Sequence, residues 1–209
     1  MPPGRLAPEV DAHLIERMTT REELLHGNFL QVRRDTVRLP DATHATREYV
    51  VHPGAVMIVP LLLDDAGNLR LVMERQYRYP VGQVILEFPA GKRDGNEDLL
   101  RCAQRELHEE TGYRARAWAH AGLMHPLVAY STEFIDIWFA RDLVPGERHL
   151  DQGEFLEVID TTLPELLQCC RDGRVTDGKT LVAALWLQNV VSGAWTLDWQ
   201  AGTDSVAAG

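Results

Sequence analysis

With 209 residues, 45% of them apolar and 25% charged, the chain has the size and composition of one moderate globular domain, or of one domain with a small appendage. That composition excludes disordered, collagen-like and membrane classes. A formal charge of −10 argues against non-specific nucleic-acid binding, which Lys and Arg drive, but leaves room for a phosphorylated small molecule held by a few arginines and divalent cations.

The opening Met1-Pro2-Pro3-Gly4-Arg5 lacks the apolar core of a signal peptide, and no apolar run approaches the roughly 18 residues that span a bilayer. No membrane segment is therefore expected. Cys102, Cys169 and Cys170 form neither an even framework nor a CxxC pair, which points to a reduced, cytoplasmic compartment. Thr20 and Glu23 stand at capping-box spacing and predict a helical turn over residues 20–25. Apolar and charged residues alternate over 29–39, which predicts a strand or hairpin with exposed edges.

Further strands are expected over 48–52, 55–63, 69–74 and 84–88, with a hairpin through the turn-rich Asp64-Asp65-Ala66-Gly67-Asn68. Residues 97–111 contain no Gly or Pro, place Leu99, Leu100, Ala103 and Leu107 on one helical face, and stop at Gly112. Residues 134–140 read as a buried strand. Thr162 and Glu165 repeat the capping-box spacing before the Cys169-Cys170 pair, whose expected role is packing on a short helix. Asp177 precedes an apolar helical run over 179–191. Strands and helices in this order predict an α/β fold with a mixed sheet covered on both faces.

The chemistry concentrates in Gly91 to Glu97 and in Arg105-Glu106-Leu107-His108-Glu109-Glu110-Thr111-Gly112-Tyr113. At 3.6 residues per turn, Glu106, Glu109 and Glu110 fall within roughly 100° of arc on one helix. Like charges at these spacings repel by about a few tenths of a kcal/mol per pair, so helix stability gives no reason to gather them. Taken alone, the stripe reads either as a solvated acidic face or as a set of hard oxygen ligands suited to Mg2+ or Mn2+. Arg105 is spaced to pair with Glu109 and to reach back to Glu97, a task of orienting carboxylates.

Together these positions resemble the Nudix box, G-x5-E-x7-R-E-U-x-E-E-x-G-U, where U is a bulky apolar residue. Gly91, Glu97, Arg105, Glu106, Leu107, Glu109, Glu110 and Gly112 match without a gap, and Tyr113 stands at the final bulky position. His52-Pro53-Gly54-Ala55-Val56, Glu74-Arg75-Gln76-Tyr77-Arg78, Leu86-Glu87-Phe88-Pro89-Ala90-Gly91 and Asp177-Gly178-Lys179-Thr180 extend the resemblance to the ADP-ribose pyrophosphatase branch, over roughly residues 48–187.

That resemblance implies an α/β/α sandwich with a mixed sheet over residues 47–209, preceded by a small N-terminal β appendage, residues 1–46, that builds a homodimer. It implies divalent cations, Mg2+ or Mn2+, on Glu106, Glu109, Glu110 and the carbonyl of Ala90. Arg78 would contact the diphosphate, and Arg47 with Glu48 would hold the nucleoside end. Glu133, or the box residue Glu109, would be the general base.

The implied reaction cleaves a nucleoside diphosphate linked to a second group, with ADP-ribose, giving AMP and ribose 5-phosphate, as the leading substrate. Several ADP-ribose enzymes carry Ser-Pro-Gly before the loop glutamate, where this chain reads Pro126-Leu127-Val128-Ala129-Tyr130. That departure bears on the substrate and not on the chemistry, and it keeps another nucleotide sugar, an ADP- or GDP-hexose, as an alternative. A catalytically silent nucleotide sensor is the alternative of another class. Such a domain is expected to lose box carboxylates, and all are present here.

Overall fold

In the computed structural model, which describes residues 11–202, the chain divides after His52. The segment read for a signal peptide, residues 1–5, lies outside the described residues. One unit comprises residues 11–52 with Leu127–Glu133, and the other residues 53–126 and 134–202.

The first unit is built on a three-stranded antiparallel sheet of β1 (Arg17–His26), β2 (Gln31–Arg38) and β3 (His44–Val51), in that order. The helical turn expected at residues 20–25 is absent, because those residues lie within β1. A single helical turn carries a costly nucleus and one cap. The ladder to β2 instead pairs opposite charges directly across the strands, Arg21 with Asp35, Glu22 with Arg34 and Glu23 with Arg33. Arg21 reaches Asp35 at 2.9 and 2.8 Å, and Arg33 reaches Glu23 at 2.7 Å. The expectation of exposed strand edges at residues 29–39 is also corrected, because β2 is the middle strand and β1 forms the open edge, exposed at every residue. Along β3, Val50 is bridged to Ser131 of the returning segment.

The second unit contains β4 (Ala55–Leu63), β5 (Leu69–Arg78), β6 (Gln83–Glu87), β7 (Ala90–Lys92), α1 (Leu99–Thr111), β8 (Arg114–Met124), β9 (Ile135–Val144), β10 (Leu156–Thr161), α2 (Leu163–Arg171), α3 (Gly178–Val191) and β11 (Trp199–Ala201). Its sheet runs β10-β5-β4-β9-β8-β11, with β6 paired to β5 and β7 to β4. β4 and β9 are parallel and the other pairs antiparallel, so the sheet is mixed as expected.

Strand alternation divides the core between the two faces. Met57, Val59, Leu71, Met73, Ile137 and Phe139 meet Leu166 of α2 and Leu187 of α3 on one face. Val56, Ile58, Trp118 and Trp138 meet Leu100, Ala103 and Leu107 of α1 on the other. The result is an α/β/α arrangement in which, among the described helices, α1 packs on one face and α2 and α3 on the other. The helix ends follow their local signals: Asp98 caps α1 through the amides of Leu100 and Arg101, and Gly112 ends it at φ 79°. Thr162 and Glu165 form the capping box of α2, which carries Cys169 and Cys170 as free thiols, and Asp177 caps α3. Among the described residues no helix is long and apolar enough to cross a membrane.

Candidate active site

The pairing of β7 with β4 sets Gly91 opposite Val56, and α1 then crosses above it. A side chain at residue 91 would occupy the place of the Glu106 carboxylate. Glycine here is a matter of space: the acid lies directly on the backbone.

Arg105 organises the polar face of the helix. Its Nε and Nη2 donate to Glu97 at 3.2 and 3.0 Å, and its Nη1 donates to Glu106 at 2.8 Å and to Glu109 at 2.9 Å. Nη2 also reaches the Lys92 carbonyl at 3.2 Å. One guanidinium thus ties the loop before the helix to two acids on it. It holds the Glu97 carboxyl below the ordinary range.

Glu110 lies deeper, 3% exposed, and accepts the Ala90 amide at 3.0 Å. Burial raises its pKa, and the charges of Glu74, Glu106 and Glu154 raise it further. Burial pushes Glu106 up to about 7 even though Arg105 pulls it down, with Glu109 and Glu154 adding to the rise. Burial disfavours the charged form of both acids, and a bound cation would supply positive charge that offsets it.

The hard oxygen donors and the close-packed floor at Gly91 suit Mg2+ or Mn2+. Among the described residues, no three acidic, histidine or cysteine side chains already converge as a metal site. Glu106 and Glu109 are instead turned toward Arg105.

Arg78 ends β5 and donates to Glu87 Oε1 at 2.7 Å, while Lys179 of α3 pairs with Glu87 Oε2 and lies 3.1 Å from Asp177. Arg78, Glu87 and Lys179 line a cavity of about 670 Å3 together with Val81, Ile85 and Asp177. Arg78 therefore stands in the same unit as the box, already oriented by an acid that is 1% exposed.

The remaining expected residues belong to the first unit. On β3, Arg47 pairs with Glu16, and Glu48 accepts from Arg34 at 2.8 Å. Glu133 closes the returning segment, with its amide on Ser131 Oγ at 3.0 Å and its carboxylate 3.8 Å from His52 Nε2.

Sequence reasoning assigned no role to three residues near the box. Glu154, on the loop before β10, accepts from Gln76 at 3.3 Å and lies close enough to raise both Glu106 and Glu110. No local signal marks it. Lys179 stood within a quoted motif without a role, and its pairing with Glu87 spans 92 residues of chain. Glu74 could have been noticed as an acid in the apolar run Leu71-Val72-Met73.

Comparison with known proteins gives two family matches: a NUDIX domain over residues 51–183 and a nucleoside diphosphate sugar hydrolase N-terminal domain over residues 16–50. The chain is 35% identical over 177 residues to a methanol dehydrogenase activator of Bacillus methanolicus, covering 83% of this chain and 92% of that protein. It is 33% identical over 177 residues to an ADP-ribose pyrophosphatase of Bacillus subtilis, covering 84% of this chain and 94% of that protein. The crystal structure of an ADP compounds hydrolase shares the fold at a TM-score of 0.75 and 22% identity, covering 86% of this chain and 95% of that one.

Proposed function

The chain belongs to the NUDIX family of pyrophosphohydrolases, and from that premise we propose that it cleaves ADP-ribose to AMP and ribose 5-phosphate with the help of Mg2+ or Mn2+. The observation that carries this reading is the arrangement over Gly91: Glu106, Glu109 and Glu110 on one helix, two of them raised by burial, and Arg105 binding the stripe to Glu97. The choice of ADP-ribose is supported by the name of the Bacillus subtilis relative and by the nucleoside diphosphate sugar hydrolase match at the N-terminus. An ADP- or GDP-hexose remains the alternative substrate, because residues 126–130 read Pro-Leu-Val-Ala-Tyr.

Glu106, Glu109 and Glu110 would hold the cations, with the Ala90 carbonyl as a further ligand. When bound, the cations supply neutralisation of the diphosphate and a lowered pKa for an attacking water. Arg105 holds Glu106 and Glu109 in place. Arg78, steadied by Glu87, would stabilise charge on the phosphoryl oxygens. Arg47 and Glu48 would hold the nucleoside end.

The proton acceptor is one of three acids. The resemblance supports Glu133, membership of the box supports Glu109, and nearness to Glu106 and Glu110 supports Glu154. Residues 1–46 would form a dimerisation appendage of a cytoplasmic homodimer, which light scattering after gel filtration tests directly.

Phosphate-coupled assays on ADP-ribose, ADP-glucose and GDP-mannose, with and without chelator, test the function itself. The expected result is the highest kcat/KM on ADP-ribose, loss of activity in EDTA and recovery with Mg2+ or Mn2+. Full turnover in excess EDTA overturns the metal reading, and preference for a hexose derivative overturns the substrate.

A further inference from the structure

β5 carries an acid that none of these steps uses. By strand alternation Leu71 and Met73 enter the core shared with α2 and α3, while Val72, Glu74, Gln76 and Arg78 face the opposite way. Glu74 is fully buried, and neither of its carboxylate oxygens has a hydrogen-bond partner. It stands directly across the ladder from Glu87, itself 1% exposed. Two acids opposite one another in a buried ladder destabilise it unless positive charge joins them.

The cations nearby are already engaged. Arg78 and Lys179 are bound to Glu87, and Lys179 also to Asp177. Arg105 is divided among Glu97, Glu106 and Glu109. Glu110 has the Ala90 amide. Among the described residues, Glu74 and Glu110 are thus two buried carboxylates with no side-chain cation ion-paired to either. Glu87, across the ladder from Glu74, stands three residues before Ala90, whose amide Glu110 accepts. Burial and the charge of Glu87 raise the pKa of Glu74, and for Glu110 the charge of Glu74 is the largest contribution after burial. The neighbouring Val72 shows that an apolar side chain fits this face of the strand, so packing alone does not call for an acid at residue 74.

We propose that Glu74 is a ligand of the divalent-cation cluster, reaching it from the buried side of Glu110, so that the metal site of this chain draws on a strand residue outside the box. This rests on the metal-dependent reading above and adds one oxygen donor to it. A buried carboxylate ligand increases the charge and rigidity of a Mg2+ or Mn2+ site, and the cation removes the need to keep the acid neutral.

The test is Mn2+ binding to the full chain without substrate, followed by the electron paramagnetic resonance signal of free Mn2+, with thermal unfolding measured on the same samples. Wild type is compared with Glu74→Gln and Glu110→Gln. Glu74→Gln is expected to weaken Mn2+ binding by about tenfold or more and to shrink the Mn2+-induced rise in Tm, while its metal-free Tm equals or exceeds that of wild type. If Glu74→Gln binds Mn2+ like wild type and Glu110→Gln does not, Glu74 is a buried neutral acid and the inference falls alone. If both variants bind normally, the box reading falls and takes this inference with it. Should Glu74→Gln fail to fold, Glu74→Val, which matches Val72 on the same face, is read by the same criteria.

Discussion

Gly91→Ala tests the site through space alone. The residue has no left-handed backbone, so alanine meets no conformational penalty there, and the whole effect falls on Glu106. A Cβ placed on residue 91 would lie 1.9 Å from Glu106 Cδ, whereas ordinary contact begins near 3.4 Å. The carboxyl must therefore retreat by ~1.5 Å, and a misplacement of about 1 Å already costs on the order of 100-fold in rate. We expect kcat/KM on ADP-ribose to fall by about 100-fold or more, equivalent to ~3 kcal/mol of transition-state stabilisation, with a raised Mg2+ requirement. Tm should change by no more than a few °C, because what moves is the free end of a side chain. Initial rates across a Mg2+ titration, with thermal unfolding of the same preparation, provide the measurement. Activity within threefold of wild type at an unchanged Mg2+ optimum would refute the placement of Glu106 as a ligand seated on Gly91.

Three other outcomes follow from the same geometry. Glu106 ionises near 7 in the folded protein against 4.5 for a free glutamate, so its contribution to stability is complete below about pH 4.5 and is lost as pH rises through about 7. This amounts to at most ~3 kcal/mol, and Glu74 and Glu110 shift in the same direction. Metal-free Tm should fall between about pH 5 and pH 8, with saturating Mg2+ flattening the profile; a metal-free Tm that climbs over that window refutes the assignment. Arg78→Ala should lower kcat/KM by roughly 100-fold and also lower Tm, since Glu87 would keep Lys179 alone; an unchanged kcat/KM removes Arg78 from the diphosphate. Parallel Glu133→Gln, Glu109→Gln and Glu154→Gln variants identify the base as the one that loses roughly 100-fold or more in kcat together with the acidic limb of the pH profile; half-saturating Mg2+ should stay unchanged for Glu133→Gln and Glu154→Gln and rise for Glu109→Gln, whose carboxylate would also hold a cation. Three wild-type profiles would exclude all three.

The sequence by itself determined what local rules govern. The α1 helix was legible because its apolar positions repeat at helical spacing, Gly112 stops it, and Gly91, Glu97 and Arg105 to Glu110 sit at fixed intervals within a few turns. The hairpin through Asp64 to Asn68 and the caps at Thr162 and Asp177 were legible for the same reason. Tertiary structure decided what depends on partners distant along the chain. Residues 20–25 carry a helix-cap signal, yet they form β1 because β2 offers a complementary row of charges. β8, rich in alanine, has weak strand propensity of its own and is a strand because β9 pairs with it along most of its length. The union of Glu87 with Lys179, the burial of Glu74 opposite Glu87, and the approach of Glu154 to Glu106 and Glu110 arise from strand register and loop closure. A motif records which residues neighbour one another along a helix; the fields that set their ionisation come from groups brought there by the sheet.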